Sequence, residues 1–119
     1  MLKRSDNLSA EKNLIIKNAS ILILKLLCDK DMYGYEMIQL LSKMTDRVIE
    51  LKVGTLYPLL HRMVQSGYLV CYNQEVNGKL RKYYSITDDG KKYLKVLLKE
   101  WEKYMDSFYK VVNDTCYEC

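Results

Sequence analysis

The sequence predicts a mainly α fold with a small β-hairpin and a long C-terminal helix. Three observations carry this expectation. Apolar residues recur at helical spacing in three segments before residue 67, two β-rich runs flank Asn77-Gly78, and a last stripe recurs from about Asp88 to Val112. The 119 residues are the size of one domain, so any long element should pack on the same body or on a partner. Apolar residues make up 49% and charged residues 29%, which is globular composition rather than the signature of disorder.

In chain order, Ile15, Ile16, Ala19, Leu22, Ile23, Leu26 and Leu27 share a helical face, and the pattern stops at Asp29-Lys30-Asp31. This predicts a first helix from about Ala10 to Cys28. A second is expected from Gly34 to about Met44, with Met37, Ile38, Leu41 and Met44 on one face. Val48 to Leu51 reads as a short extended stretch. Leu56, Leu59, Leu60, Met63 and Val64 then form the clearest amphipathic stripe, ending at Ser66-Gly67, where glycine can supply a left-handed cap. Pro58 lacks an amide hydrogen, so it is expected in the first turn of this third helix or bending its start, with Thr55 to Tyr57 loosely wound. Tyr68 to Gln74 and Arg81 to Ile86 read as strands joined at Asn77-Gly78. Thr87 is placed to cap the last helix, and Asp88 and Asp89 complement its positive end.

Helix, helix, helix, hairpin and long helix is the order of a winged helix-turn-helix. Residues 1–87 read as that unit with its N-terminal helix, and 88–119 as a dimerisation helix with a short tail. In such a unit the third helix enters the major groove of double-stranded DNA, and the hairpin, or wing, follows the phosphates. The outward set on the third helix is Thr55, Tyr57, Pro58, His61, Arg62 and Gln65. Arg62 can pair bidentately with a guanine and Gln65 with an adenine, while Thr55 and Tyr57 can anchor phosphates. Lys79, Arg81 and Lys82 make the wing cationic, although such charges can also merely solvate a hairpin. The competing class is a winged-helix module that docks on protein without binding DNA. A polar outward face and a cationic wing favour DNA.

In the last helix Leu94, Trp101 and Phe108 recur every seven residues, with Leu97, Leu98, Tyr104 and Met105 between them. A 25-residue helix would be ~37 Å long, more than three short helices can cover, so this seam is assigned to a homodimer interface. The bland reading docks the stripe on the first helix of the same subunit. Two-fold symmetry implies an inverted-repeat site with half-sites about one helical turn, ~34 Å, or a multiple apart.

No catalytic residues, cofactor or metal site are expected, because the sequence has one histidine, no glycine-rich phosphate loop and no ligand cluster. The N-terminal apolar stretch is broken by Lys17, Asn18 and Lys25, and no apolar run approaches the roughly 20 residues of a membrane span. A cytoplasmic protein with reduced thiols is expected. Cys28 and Cys71 lie in apolar runs and are expected to pack. Cys116 and Cys119 could share an ion or form a disulfide, but a frayed tail is the simpler reading.

Four motifs carry a family resemblance. They are Tyr33-Gly34-Tyr35-Glu36, then Gly54-Thr55-Leu56-Tyr57-Pro58-Leu59-Leu60, then Gly67-Tyr68-Leu69, and last Arg81-Lys82-Tyr83-Tyr84-Ser85-Ile86-Thr87 with Gly90 three residues on. In this order and spacing, over about Ser20 to Val112, the chain resembles the short form of the PadR family of bacterial regulators. The resemblance implies a homodimeric repressor whose C-terminal helices pair together with the first helix. DNA contact by the Thr55 to Arg62 region and by the wing is implied as well. Some short members bind flat aromatic compounds against a tryptophan of the last helix. Trp101 falls at that position, and Met105 and Phe108 follow it, so a small aromatic effector is implied there. A lone tryptophan on a dimer seam can equally be a packing anchor.

Overall fold

The computed structural model describes the backbone of residues 4–114 and the side chains of residues 16–114. Its elements are α1 (Arg4–Asp29), β1 (Met32–Tyr33), α2 (Gly34–Met44), α3 (Val53–Gln65), β2 (Leu69–Val76), β3 (Lys79–Ile86) and α4 (Asp88–Val112). The mainly α fold with a hairpin is the one expected. Helix α1 starts at Arg4 rather than Ala10, because no proline or glycine interrupts the intervening residues even though they lack apolar periodicity. The pair Cys116 and Cys119 lies outside the described residues.

The hairpin register pairs Val76 with Lys79, leaving Asn77 and Gly78 as a two-residue turn with φ of 53° and 78°. Positive φ at both positions is what a type I′ turn requires, and it matches the twist of the strands. A third strand, not expected from sequence, turns the hairpin into a sheet of order β1-β3-β2. Met32 pairs with Tyr84 and Tyr33 with Tyr83, so the chain between α1 and α2 is stitched to the wing.

The expected extended stretch at Val48 to Leu51 is not a strand. Helix α2 closes with Asp46 N–H on the Lys43 carbonyl (3.4 Å) and Arg47 N–H on the Ser42 carbonyl (2.8 Å), the paired bonds of a Schellman end. Asp46 and Arg47 take φ of 49° and 66° there, a left-handed region costly for residues with a Cβ. Thr45 then holds the turn, its hydroxyl donating to the Leu41 carbonyl (2.9 Å) and accepting from Ile49 N–H (3.0 Å).

Helix α3 begins at Val53, so Gly54 to Tyr57 are helical and Pro58 sits in the second turn, a correction to the loosely wound start. The amide that Pro58 lacks would have bonded to Gly54, and the first turn tightens instead, with Thr55 and Leu56 N–H both on the Lys52 carbonyl (3.0 and 2.9 Å). At the other end Gly67 has φ of 82°, and Tyr68 N–H reaches the Met63 carbonyl (2.9 Å).

That end is also the hub of the fold. Thr87 caps α4 by accepting from Gly90 N–H (3.0 Å), while its hydroxyl donates to the Gly67 carbonyl (2.7 Å). Thr87 N–H donates to the Tyr68 carbonyl (3.1 Å), and the Tyr68 ring stacks on Tyr93 of α4 with centroids 4.1 Å apart. Helix α3, both long strands and α4 therefore meet within a few residues.

The core joins every helix. Ile23 and Leu24 of α1, Met37 of α2 and Leu56 and Leu60 of α3 are completely buried. Leu94 and Leu97 of α4 are each 6% exposed, so the first half of the α4 stripe closes on the chain's own core, packed against α1. Cys28 is exposed, contrary to expectation, because helical rotation carries it off the face that buries Leu26 and Leu27. Cys71 is half-buried beside the core.

A Cβ on Gly90 would stand 2.2 Å from the Tyr68 carbonyl oxygen, which is backbone held by Thr87 and has no room to retreat. Gly90→Ala should cost about 2–3 kcal/mol, read as a lower urea midpoint at unchanged slope. Asp46→Gly should instead gain about 1 kcal/mol by the same measurement. Three tyrosines are also held above their ordinary ionisation range: Tyr72 by donating to Asp31, Tyr84 and Tyr93 by burial. The folded state favours their protonated forms, so this contribution to stability is complete below pH 10 and is lost as pH rises through the raised values. Melting temperature against pH should fall on the alkaline side in step with tyrosinate absorbance.

Candidate nucleic-acid interface

Helix α3 buries Leu56, Leu59, Leu60 and Met63, which fixes what it shows to solvent. At about 100° per residue, Pro58, His61 and Gln65 fall at the centre of the outward sector. Arg62 and Thr55 lie at one edge and Tyr57 at the other. All of these are exposed except Thr55, which is half-buried. The outward face expected from sequence is thus the one the packing presents. Arg62 also borders a small cleft with Ser20, Ser66, Tyr68 and Tyr93.

Tyr57 has a second task. A Cβ on Gly34 would lie 2.6 Å from the Tyr57 hydroxyl oxygen, so the tyrosine ring rests on the glycine that opens α2. This contact packs α3 directly on the start of α2 while leaving Tyr57 42% exposed. It is a role the sequence did not reveal.

On the wing, Lys79 and Lys82 are exposed and Arg81 is half-buried. Pleating puts Lys79, Arg81 and Tyr83 on one face of β3 and Lys82 on the other. The Arg81 guanidinium carbon lies 4.4 Å from the centre of the Tyr33 ring. Three tyrosines line that face in cross-strand register, Tyr33 against Tyr83 (5.5 Å, edge to face) and Tyr83 against Tyr72 (5.8 Å, stacked). The Tyr72 hydroxyl donates to Asp31 at 2.6 Å. Sequence reasoning missed Asp31, Tyr33, Tyr72 and Tyr83, because the unexpected strand β1 is what brings them together.

The α4 seam divides in two. Leu94 and Leu97 are covered within the subunit and Leu98 packs partly on the core, whereas Tyr104 and Phe108 are 56% and 46% exposed. Trp101 and Met105 are half-buried. A cleft of about 280 Å³ between α1 and α4 is lined by Lys17, Ile21, Leu97, Glu100, Trp101 and Tyr104. Of the residues expected to hold an effector, only Trp101 lines it, since Met105 and Phe108 lie one and two turns further along α4. Trp101 stacks on Tyr104 with centroids 6.0 Å apart. Among the described residues no cluster of three or more potential ligands could hold a metal, and no helix is long and apolar enough to cross a membrane.

A buried-backed helix with a polar outer face, beside a three-stranded cationic wing, defines a winged helix-turn-helix regulator. A family model described as the transcriptional regulator PadR-like family matches residues 23–96, and the chain belongs to that family. It is 35% identical to a transcriptional regulator from Clostridium thermocellum, with a TM-score of 0.74 over 88% of this chain and 99% of that one. A PadR family transcription regulator from Clostridium difficile is 33% identical, with a TM-score of 0.66 over 78% of this chain and 96% of that one. An uncharacterised protein of Lysinibacillus sphaericus is 42% identical over 67% of this chain and 74% of its own length.

The two faces of α3 should separate cleanly on substitution. His61→Ala and Gln65→Ala should leave stability within about 0.5 kcal/mol of the original, whereas Leu60→Ala should cost about 2–5 kcal/mol. Denaturant unfolding of the three variants makes the comparison.

Proposed function

We propose that the chain is a homodimeric, sequence-specific DNA-binding regulator of the repressor type. Helix α3 lies in the major groove, with Arg62 and Gln65 reading base edges and Thr55, Tyr57, Pro58 and His61 setting its seat. Lys79, Arg81 and Lys82 of the wing meet the phosphates. The observation that carries this reading is the outward face of α3. The polar His61 and Gln65 flank Pro58 at its centre, Arg62 stands at one edge, and the nearest hairpin bears three cations, where a protein-docking face would be apolar. Such a role places its action in the cytoplasm.

The second subunit covers the distal part of α4. Tyr104 and Phe108 are large apolar side chains exposed on one helix of a single chain, and contiguous apolar surface of this kind is normally covered. The resulting two-fold pair reads an inverted repeat. A small flat aromatic effector fits the cleft beside Trp101, whose apolar walls approach the ~300 Å³ lower bound of ligand sites before a second subunit adds to them.

Selection of bound fragments from random duplexes tests the reading directly, and an inverted repeat should emerge. Direct repeats, or no enrichment at all, would sink it. On the selected site Arg62→Ala should cost about 1–3 kcal/mol and relax one base position, while Lys79→Ala should weaken all sequences alike and lower the salt slope by about one. Trp101 is the only tryptophan, so effector binding should shift its fluorescence, and Trp101→Leu should abolish release of the operator by the same compound.

A further inference from the structure

The geometry points to Tyr33 as a positioning residue for DNA contact, holding the Arg81 guanidinium in the pose in which the wing meets a phosphate. This inference rests on the DNA-binding reading above. Tyr33 belongs to neither α3 nor the hairpin, and nothing in its local sequence suggests a part in binding. Its place follows from strand β1, which pairs Tyr33 with Tyr83 of the wing and brings its ring under Arg81.

An arginine on an exposed hairpin normally samples many rotamers, and binding must immobilise it. Here the guanidinium carbon sits 4.4 Å from the ring centre, within the range of an attractive cation–π contact. A guanidinium held over a ring face keeps N–H donors available on the side away from the ring, and these are the groups that bind phosphate oxygens. Among the described residues no carboxylate pairs with Arg81, so the charge is not neutralised where it stands. The ring beneath it is held in turn. Tyr83 abuts Tyr33 edge to face, Tyr72 stacks on Tyr83, and Asp31 accepts the Tyr72 hydroxyl. Lys79 lies on the same face of β3, so the ladder ends in a cationic strip leading to the wing tip.

A double-mutant cycle on the selected duplex tests this, with folding of each variant checked by its melting curve. Tyr33→Leu should weaken binding about two- to fivefold, the scale of an exposed cation–π contact. Tyr33→Phe should restore it, since the ring face and not the hydroxyl holds the cation. In an Arg81→Ala background Tyr33→Leu should have almost no further effect. An unchanged loss in that background would mean that Tyr33 merely supports the sheet, and would overturn the inference. If Tyr33→Leu does not fold, nuclear magnetic resonance of the unaltered protein decides. The Arg81 Nε–H signal, assigned by its disappearance in Arg81→Lys, should be ring-current shifted and motionally restricted before DNA is added. An unshifted, freely mobile signal would refute the positioning role. Failure of the unaltered protein to bind any duplex would remove the DNA reading and this inference together, whereas binding with an additive cycle removes this inference alone.

Discussion

The junction around Thr87 is the constraint on which the rest of the structure depends. Its backbone and side chain together bond to Gly67, Tyr68 and Gly90, so one residue ties the end of α3 to the end of β3 and the start of α4. Each partner is fixed by a different requirement. Gly67 must turn left-handed to end α3, Gly90 must lack a Cβ to let α4 approach the Tyr68 carbonyl, and Tyr68 must be flat to stack on Tyr93. The family motifs that contain these residues are physical components of a single joint. Because α3 and the wing both leave from it, their relative direction is set by short-range bonds rather than by loop length.

A second tie runs through strand β1. Strand β1 and the first residue of α2 are adjacent in the chain, so the wing, α2 and α3 are linked through Tyr33, Gly34 and Tyr57 within two residues of backbone. An element held at both ends loses less conformational freedom on binding than one held at one end. The helix-turn-helix and its wing therefore act as one body, and the exposed polar side chains are arrayed on a frame that packing has already fixed.

Helix α4 has two differently buried parts. Its first turns complete the core through Leu94 and Leu97, whereas further along Tyr104 and Phe108 are largely exposed and the half-buried Trp101 still lines the cleft against α1. The cleft at Trp101 lies where the covered part gives way to the uncovered part. The N-terminus of the same helix is bonded to the end of α3 through Thr87, so α4 and α3 are joined directly.

Much of this is legible in the sequence itself. Helical periodicity identified α2 and the inward face of α3, Asn77-Gly78 identified the turn, and Thr87 identified the cap of α4, because each is decided by interactions within a few residues. The outward side chains of α3 followed from its inward ones by rotation alone. What the sequence could not express are the contacts between distant segments. A two-residue strand has no periodicity to read, so β1 and the tyrosine ladder it completes were invisible, and with them the hold of Tyr33 on Arg81. The reach of the α4 seam within one subunit was equally hidden, since an apolar stripe looks the same whether its own chain or a partner covers it. Local chemistry chose the elements; only their three-dimensional juxtaposition decided which apolar and cationic side chains were left over for other molecules.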